Sequence, residues 1–301
     1  MTEPSMMPGG EPAFTDTEEW GSPGRLGGVR AREMRTARPA KRAVAVALGS
    51  LALVTASCAS RPAASGPVKT GPVGSSPGGA SSPPSTLAPL PQRKVTLLEV
   101  GDSLGIDLGW GLDWALSNDP HVTVVADAKG DTGLANTGYY NWPVVLRSEL
   151  ASVHPQVVVV FLGANDAQNF YQNGTYCAFG SPAWKAAYGA RVAAMMDEVL
   201  TAKARLVWVG EPIMQSPSFS SKMVLIDSIF RQEAASHPGV VYLPSWPLFA
   251  TAAGTFNGGT TDITGTPEAL RDPDGIHLAT GGEDLLAREV VRKLRAVFKL
   301  P

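Results

Sequence analysis

The sequence predicts an α/β domain, a three-layer α/β/α sandwich around a five-stranded parallel sheet. Three observations lead there. Five short runs are almost continuously apolar and rich in Val and Leu: 95–100, 122–126, 157–162, 205–209 and 240–243. Continuous rather than alternating apolar character is expected of parallel strands covered on both faces. Between and after the runs lie helical patterns at about 105–118, 142–153, 182–203, 221–236 and 281–298. Strand and helix therefore alternate, which calls for right-handed crossovers and helices on both sides of the sheet. Lastly, polar residues that can do chemistry gather just after the runs. In an open parallel sheet that is the carboxyl edge, where ligands bind.

Taken in chain order, that edge reads as follows. The first run ends in Gly101-Asp102-Ser103. The second is followed by 127–133, which contains Asp127, Gly130, Thr132 and Gly133. The third leads into Gly163-Ala164-Asn165-Asp166, and the fourth into Gly210-Glu211-Pro212. After the fifth comes a long irregular stretch that ends in Asp272-Pro273-Asp274-Gly275-Ile276-His277.

The chain has four histidines, and His121, His154 and His237 each stand just before a strand run, at the opposite edge. Only His277 is placed to reach the carboxyl edge. Asp274, three residues earlier, can fold back onto the imidazole Nδ1 and fix its tautomer; Asp272 is the rival carboxylate. Read alone, either aspartate is also a turn cap. Ser103 follows a buried strand and starts a helix, whose amino end favours negative charge. By itself such a serine reads as an N-cap; with His277 on the same edge it reads as a nucleophile.

Gly101-Asp102-Ser103-Leu104, a second-loop glycine, Gly163-Ala164-Asn165-Asp166 and Asp274-Gly275-Ile276-His277 resemble, in order, the four motif blocks of the SGNH (GDSL-like) serine hydrolases. The resemblance spans essentially all of 93–301. It implies a flavodoxin-like sandwich, a carboxylic ester hydrolase, Ser103 as nucleophile, His277 as base and Asp274 as the acid. It also implies an oxyanion hole made by the N–H of Ser103, the N–H of Gly133 and the side-chain amide of Asn165, with Gly130 as the alternative glycine. Asp102, Gly163 and Asp166 are expected to brace these groups. No metal and no cofactor are implied. The stretches 130–143 and 161–168 further resemble an envelope-associated bacterial branch of that superfamily, related to domains acting on acylated surface glycans. That points to an O-acyl, chiefly O-acetyl, ester on an acylated carbohydrate. Two alternatives stay open: an O-acyltransferase to a sugar acceptor, and a non-catalytic glycan-binding domain. Tyr139, Tyr140 and Trp142 are candidates to line an acceptor cleft.

Gly101 to Gly105 also fits the G-x-S-x-G nucleophile elbow of α/β-hydrolases. That fold places its elbow after several strands and its acid far from the histidine. Here Ser103 follows the first strand, and Asp274 lies three residues from His277.

The first ninety residues read differently. Residues 1–33 are polar and broken by Gly and Pro, and read as disordered or as preceding the true start. Arg35, Arg38, Lys41 and Arg42 then precede an uncharged run, 43–60, in the pattern of an export signal. Thr55-Ala56-Ser57-Cys58 resembles a bacterial lipobox, which implies a signal over 34–58 starting at Met34, and lipid on Cys58. An uncleaved anchor and simple secretion are the alternatives. Residues 59–92 are rich in Ser, Pro, Gly and Ala and read as a tether. The protein is thus expected on the outer face of the cytoplasmic membrane or in the cell wall. Cys177, the second of two cysteines, is then a lone structural thiol. With 25 Lys and Arg against 27 Asp and Glu there is no basic excess, which argues against nucleic acid.

Overall fold

The structure is a computed structural model and describes residues 94–300. The expectations for 1–33, for the signal 34–58 with Cys58, and for the tether 59–92 lie outside the described residues. Within them the order of elements is β1 (Val95–Gly101), α1 (Ser103–Leu116), β2 (Val122–Ala126), α2 (Trp142–Val153), β3 (Val157–Phe161), β4 (Phe170–Gln172), β5 (Thr175–Cys177), α3 (Pro182–Thr201), β6 (Arg205–Val209), α4 (Pro217–Ser236), β7 (Val240–Leu243), a 3-10 turn at Trp246–Phe249, β8 (Gly259–Thr261), β9 (Pro267–Ala269) and α5 (Thr280–Phe298).

The five apolar runs pair in parallel in the order β2-β1-β3-β6-β7. Val95 sits opposite Val122, Leu97 opposite Val157, Val157 opposite Arg205 and Leu206 opposite Val240. The chain runs outward from β1 in one direction and then returns past it to β3. That reversal is the topological switch point, at the carboxyl ends of β1 and β3, which is where open parallel sheets bind ligands. Helices α1 and α5 pack together on one face, and α2, α3 and α4 line up on the other. Every residue of β3 is buried, as is usual for a central strand covered on both sides.

Four helices start where the sequence supplies a cap. Asp102, Asn141, Ser181 and Ser216 each accept a bond from an N–H of the first turn, and Pro143, Pro182 and Pro217 occupy early positions. The caps explain two departures from the sequence pattern. Helix α1 begins at Ser103 rather than 105 because Asp102, not Ser103, is its N-cap. Helix α4 begins at Pro217 rather than 221 because Ser216 and Pro217 together start it. The antiparallel pairs β4–β5 and β8–β9 were not expected. Strands of three residues are too short to show a period.

Connections differ sharply between the two edges of the sheet. At the amino edge, 154–156, 202–204 and 237–239 join helix to strand directly. His154, Lys203 and Gly239 turn there with positive φ. At the carboxyl edge, 127–141, 162–181 and 244–279 are long, and the last two carry the extra hairpins.

Glu99 is an anomaly within β1. It is fully buried, and neither carboxylate oxygen has a hydrogen-bond partner among the described residues. It sits under α1, where a Cβ on Gly105 or Gly109 would come within 2.9 or 3.0 Å of its oxygens. Burial, followed by the charges of Asp127, Asp102 and Asp113, pushes its pKa well above the ordinary value. A carboxyl with a raised folded pKa contributes full stability below its unfolded pKa and loses it as pH rises through the folded one. Glu99→Gln should therefore melt like the parent near pH 4.5. It should become progressively more stable than the parent as pH rises, by up to about 1.4 kcal/mol per pH unit. Thermal melts across that range check this.

Candidate active site

The candidate site at the switch point is built from three loops and one long excursion. The first loop is the turn from β1 into α1. Ser103 is the first helical residue and is half-buried. Its Oγ makes no hydrogen bond to a described residue, and its N–H likewise has no acceptor among them. Asp102 beside it is completely buried. One of its oxygens accepts from the N–H of Leu104 at 2.9 Å. The other accepts from Gly163 and Ala164 at 3.0 and 3.1 Å, which ties the first loop to the third. Burial raises the Asp102 pKa to about 6, and the N–H donors from Gly163 and Leu104 oppose that rise.

The third loop carries Asn165 and Asp166. The Asn165 amide donates to the carbonyl of Thr132 at 3.0 Å, which leaves its second N–H hydrogen. Asp166 is buried and bonds three donors. These are the N–H groups of Leu134 and Ala135 at 3.0 and 2.7 Å, and the hydroxyl of Tyr188 on α3 at 2.7 Å. Its pKa too is raised to about 6 by burial, against those bonds. Asp166 therefore braces the second loop rather than Asn165 or a helix.

Gly133 fits this arrangement for a steric reason. A Cβ there would lie 2.1 Å from an Asp166 oxygen. The Gly133 N–H has no acceptor among the described residues. Gly130 is open, with nothing nearer than 3.9 Å to a Cβ. Of the two second-loop glycines, only Gly133 lies against the loop that bears Asn165. Trp142 does not line a cleft. It is fully buried, and its indole N–H donates to Thr132 Oγ1 at 3.0 Å, which stiffens the second loop from beneath. Tyr139 is exposed and Tyr140 half-buried, the latter under the Lys129 ammonium. Cys177 is buried in β5.

The long excursion after β7 brings the histidine. His277 Nδ1 lies 2.6 Å from Asp274 Oδ2, and Asp274 Oδ1 accepts from the N–H groups of Ile276 and His277 at 2.8 and 3.0 Å. Burial works against the Asp274 carboxylate, but the bond from His277 and these N–H donors outweigh it and hold its pKa below the ordinary value. Asp272 makes a backbone bond instead, its N–H reaching the His277 carbonyl at 2.9 Å. Between the two aspartates, the structure sets Asp274 on the imidazole. Gly275, with φ of 68°, lets the turn close.

The two halves meet through a residue that the motif reading missed. Asp107, one turn beyond Ser103 on α1, accepts from the N–H of Leu278 at 2.9 Å. The segment after His277 is thereby fixed to the helix that starts with Ser103. The structure thus brings Asp274 to His277 directly, and brings their turn to α1, without a hydrogen bond from Ser103 to His277. Other unanticipated groups are Tyr188 and Arg191. Arg191 spans the second-loop carbonyls of Leu134 and Ala135 at 2.6 and 2.9 Å. It also reaches Gln172 of β4. Nothing in its helical context marked it, since its partners are distant in sequence. His121, His154 and His237 lie at the amino edge, the last two at the carboxyl ends of α2 and α4. No cluster with metal-ligand composition occurs among the described residues.

Residues 96–293 match the family described as "Protein of unknown function (DUF459)". The chain belongs to that family. Comparison with curated proteins gave no match. Among solved structures it is similar to a GDSL-like lipase of Bacteroides thetaiotaomicron, at 12% identity and a TM-score of 0.50, over 70% of this chain and 92% of that one. An acetylxylan esterase of Geobacillus stearothermophilus aligns at 13% identity and a TM-score of 0.48, over 67% and 94% of the two chains. A carbohydrate esterase of Talaromyces cellulolyticus aligns at 12% identity and 0.46, over 68% and 98%. The fold is that of the SGNH (GDSL-like) hydrolases.

Tyr188→Phe should remove one of three bonds to a buried carboxylate. The expected loss is about 1–3 kcal/mol of unfolding free energy in a urea titration.

Proposed function

We propose that this protein is a serine esterase that hydrolyses O-acyl esters, chiefly O-acetyl groups on a cell-envelope glycan. The observation that carries the catalytic reading is the Asp274–His277 bond of 2.6 Å, on a segment joined to α1 one turn beyond Ser103. The fold supports it, because this sheet edge is where such a constellation works.

His277 takes the proton of Ser103 as its oxygen attacks the ester carbonyl. Asp274 holds the imidazole with Nε2 free to accept and steadies the imidazolium that forms. The negative charge on the carbonyl oxygen is met by the N–H of Ser103, the N–H of Gly133 and the free amide hydrogen of Asn165. Asp102 and Asp166 hold these donors to one another and touch no substrate. The imidazolium then gives its proton to the leaving alcohol, leaving an acyl-enzyme. Water, deprotonated by His277, releases the acid and restores Ser103.

The glycan target and an exported, lipid-anchored location at the envelope are parts of the same proposal. They rest on the basic and apolar leader, the lipobox-like Thr55-Ala56-Ser57-Cys58 and the Ser- and Pro-rich tether.

Hydrolysis of p-nitrophenyl acetate, butyrate and octanoate tests the catalytic reading. Turnover should favour acetate and vanish in Ser103→Ala. Asn165→Ala should lower kcat by roughly 10²–10³. Asp274→Asn should cost far more than Asp272→Asn, since only the former orients the imidazole. A folded protein inert on all three esters would overturn the esterase, and acyl transfer only in the presence of a sugar acceptor would make it an acyltransferase.

A further inference from the structure

Arg271 is only 4% exposed, which is rare for an arginine without a dedicated partner. It lies between the rings of Phe249 and Phe256, with its guanidinium carbon 5.1 and 5.6 Å from their centroids. Its Nε and Nη1 have no hydrogen-bond partner among the described residues. Its Nη2 donates to the carbonyl of Ile276 at 2.6 Å and touches the Met214 sulfur at 3.2 Å. Burial lowers its pKa to about 10, opposed by the nearby carboxylates of Asp274, Glu211 and Asp107, so it remains a cation at neutral pH.

The Ile276 carbonyl belongs to the same planar peptide unit as the His277 N–H. That N–H donates to Asp274 Oδ1 at 3.0 Å, while Asp274 Oδ2 holds His277 Nδ1. One amide therefore stands between a buried cation at its oxygen and a carboxylate at its hydrogen. Both charges polarise it in the same sense, which strengthens the bond at each end. The need for such support is visible in the turn itself. Asp274 and His277 have side chains 45% and 36% exposed, and the bonds among 274–277 are local. Beyond Arg271, the turn is held from outside by the Gln215 N–H on the Gly275 carbonyl at 3.1 Å, the Asp272 N–H on the His277 carbonyl at 2.9 Å and, one residue on, the Leu278 N–H on Asp107 at 2.9 Å.

We propose that Arg271 is a positioning residue, which holds the Asp274 carboxylate on His277 through the Ile276–His277 peptide. The proposal rests on the Asp274–His277 pair serving as acid and base, as argued above. Arg271 touches no reacting atom, so its effect falls on how often the imidazole is aligned, hence on kcat and not on substrate binding.

Two variants and two readouts test it. Arg271→Met removes the charge and the donor while keeping an apolar stem between the two rings. Arg271→Lys keeps the charge and can donate, but without the planar fork. In Arg271→Met, kcat on p-nitrophenyl acetate should fall about tenfold or more with KM within about twofold. The low-field proton resonance of the His277 Nδ1–H should broaden or vanish. Arg271→Lys should recover part of both, and it stands in should the methionine variant not fold. A folded Arg271→Met with parental kcat and an unchanged proton signal would overturn the proposal. So would losses in both variants that simply follow their melting temperatures. The resonance separates this proposal from the esterase reading. A parent that hydrolyses no ester, yet shows the signal and loses it in Arg271→Met, would sink the activity and keep the positioning role.

Discussion

The carboxyl edge of the sheet depends on a buried carboxylate whose hydrogen bonds all come from backbone N–H groups. Asp102 accepts N–H groups from its own loop and from the loop after β3, at distances near 3 Å. The two loops abut because β1 and β3 are neighbours in the sheet. A charge removed from water is tolerated only when its lone pairs are filled, and here three N–H groups fill them. Asp166 does the same between the third loop and the second, with Tyr188 as the third donor. Two carboxylates thus make one body of three separate loops. The spacing among the Ser103 N–H, the Gly133 N–H and the Asn165 amide follows from them. In the hydrolysis proposed above, donors held in this way need no rearrangement when charge develops on the carbonyl oxygen.

Much of the sheet was legible because burial on both faces writes itself into the sequence as unbroken runs of Val and Leu. The strand order came only through the resemblance, which implied a flavodoxin-like sandwich, and not from the runs themselves. It depends on crossovers whose direction no local pattern encodes. The short pairs β4–β5 and β8–β9 escaped because three residues give no period, and Thr260 and Thr261 in β8 are exposed. Starts of α1 and α4 slipped because caps and not the apolar period set them, and the capping bonds of Asp102 and Ser216 are seen only in the structure.

The site separated along the same line. Asp274 and His277 lie three residues apart, and their contact is local enough to anticipate. Spacing alone left Asp272 as a rival, the motif resemblance pointed to Asp274, and the structure puts Asp274 on the imidazole. Asp102 and Asp166 were expected to brace the site, but their distant partners, and the roles of Asp107 and Arg191, were invisible for a plainer reason. Asp107 meets Leu278, Arg191 meets Leu134, and Asp166 meets Tyr188 across large sequence separations. Each of these side chains, taken alone, looks like an ordinary surface charge or a core aromatic. Trp142 shows the converse error: an aromatic in a loop-rich stretch reads as a ligand platform, yet here it is a beam under the second loop.

The contrast between the two edges of the sheet has an evolutionary meaning. Connections such as 154–156 and 202–204 hold helix to strand with no slack. A single inserted residue there would drag a helix end off its strand. The excursions at 162–181 and 244–279 begin and end on the same rim and can lengthen without disturbing strand register. Inserts are therefore accommodated on one rim without disturbing the sheet, whereas the opposite rim tolerates few. Lengthening the β4–β5 or the β8–β9 hairpin would reshape the rim that carries Ser103 and His277 and leave the sheet as it is.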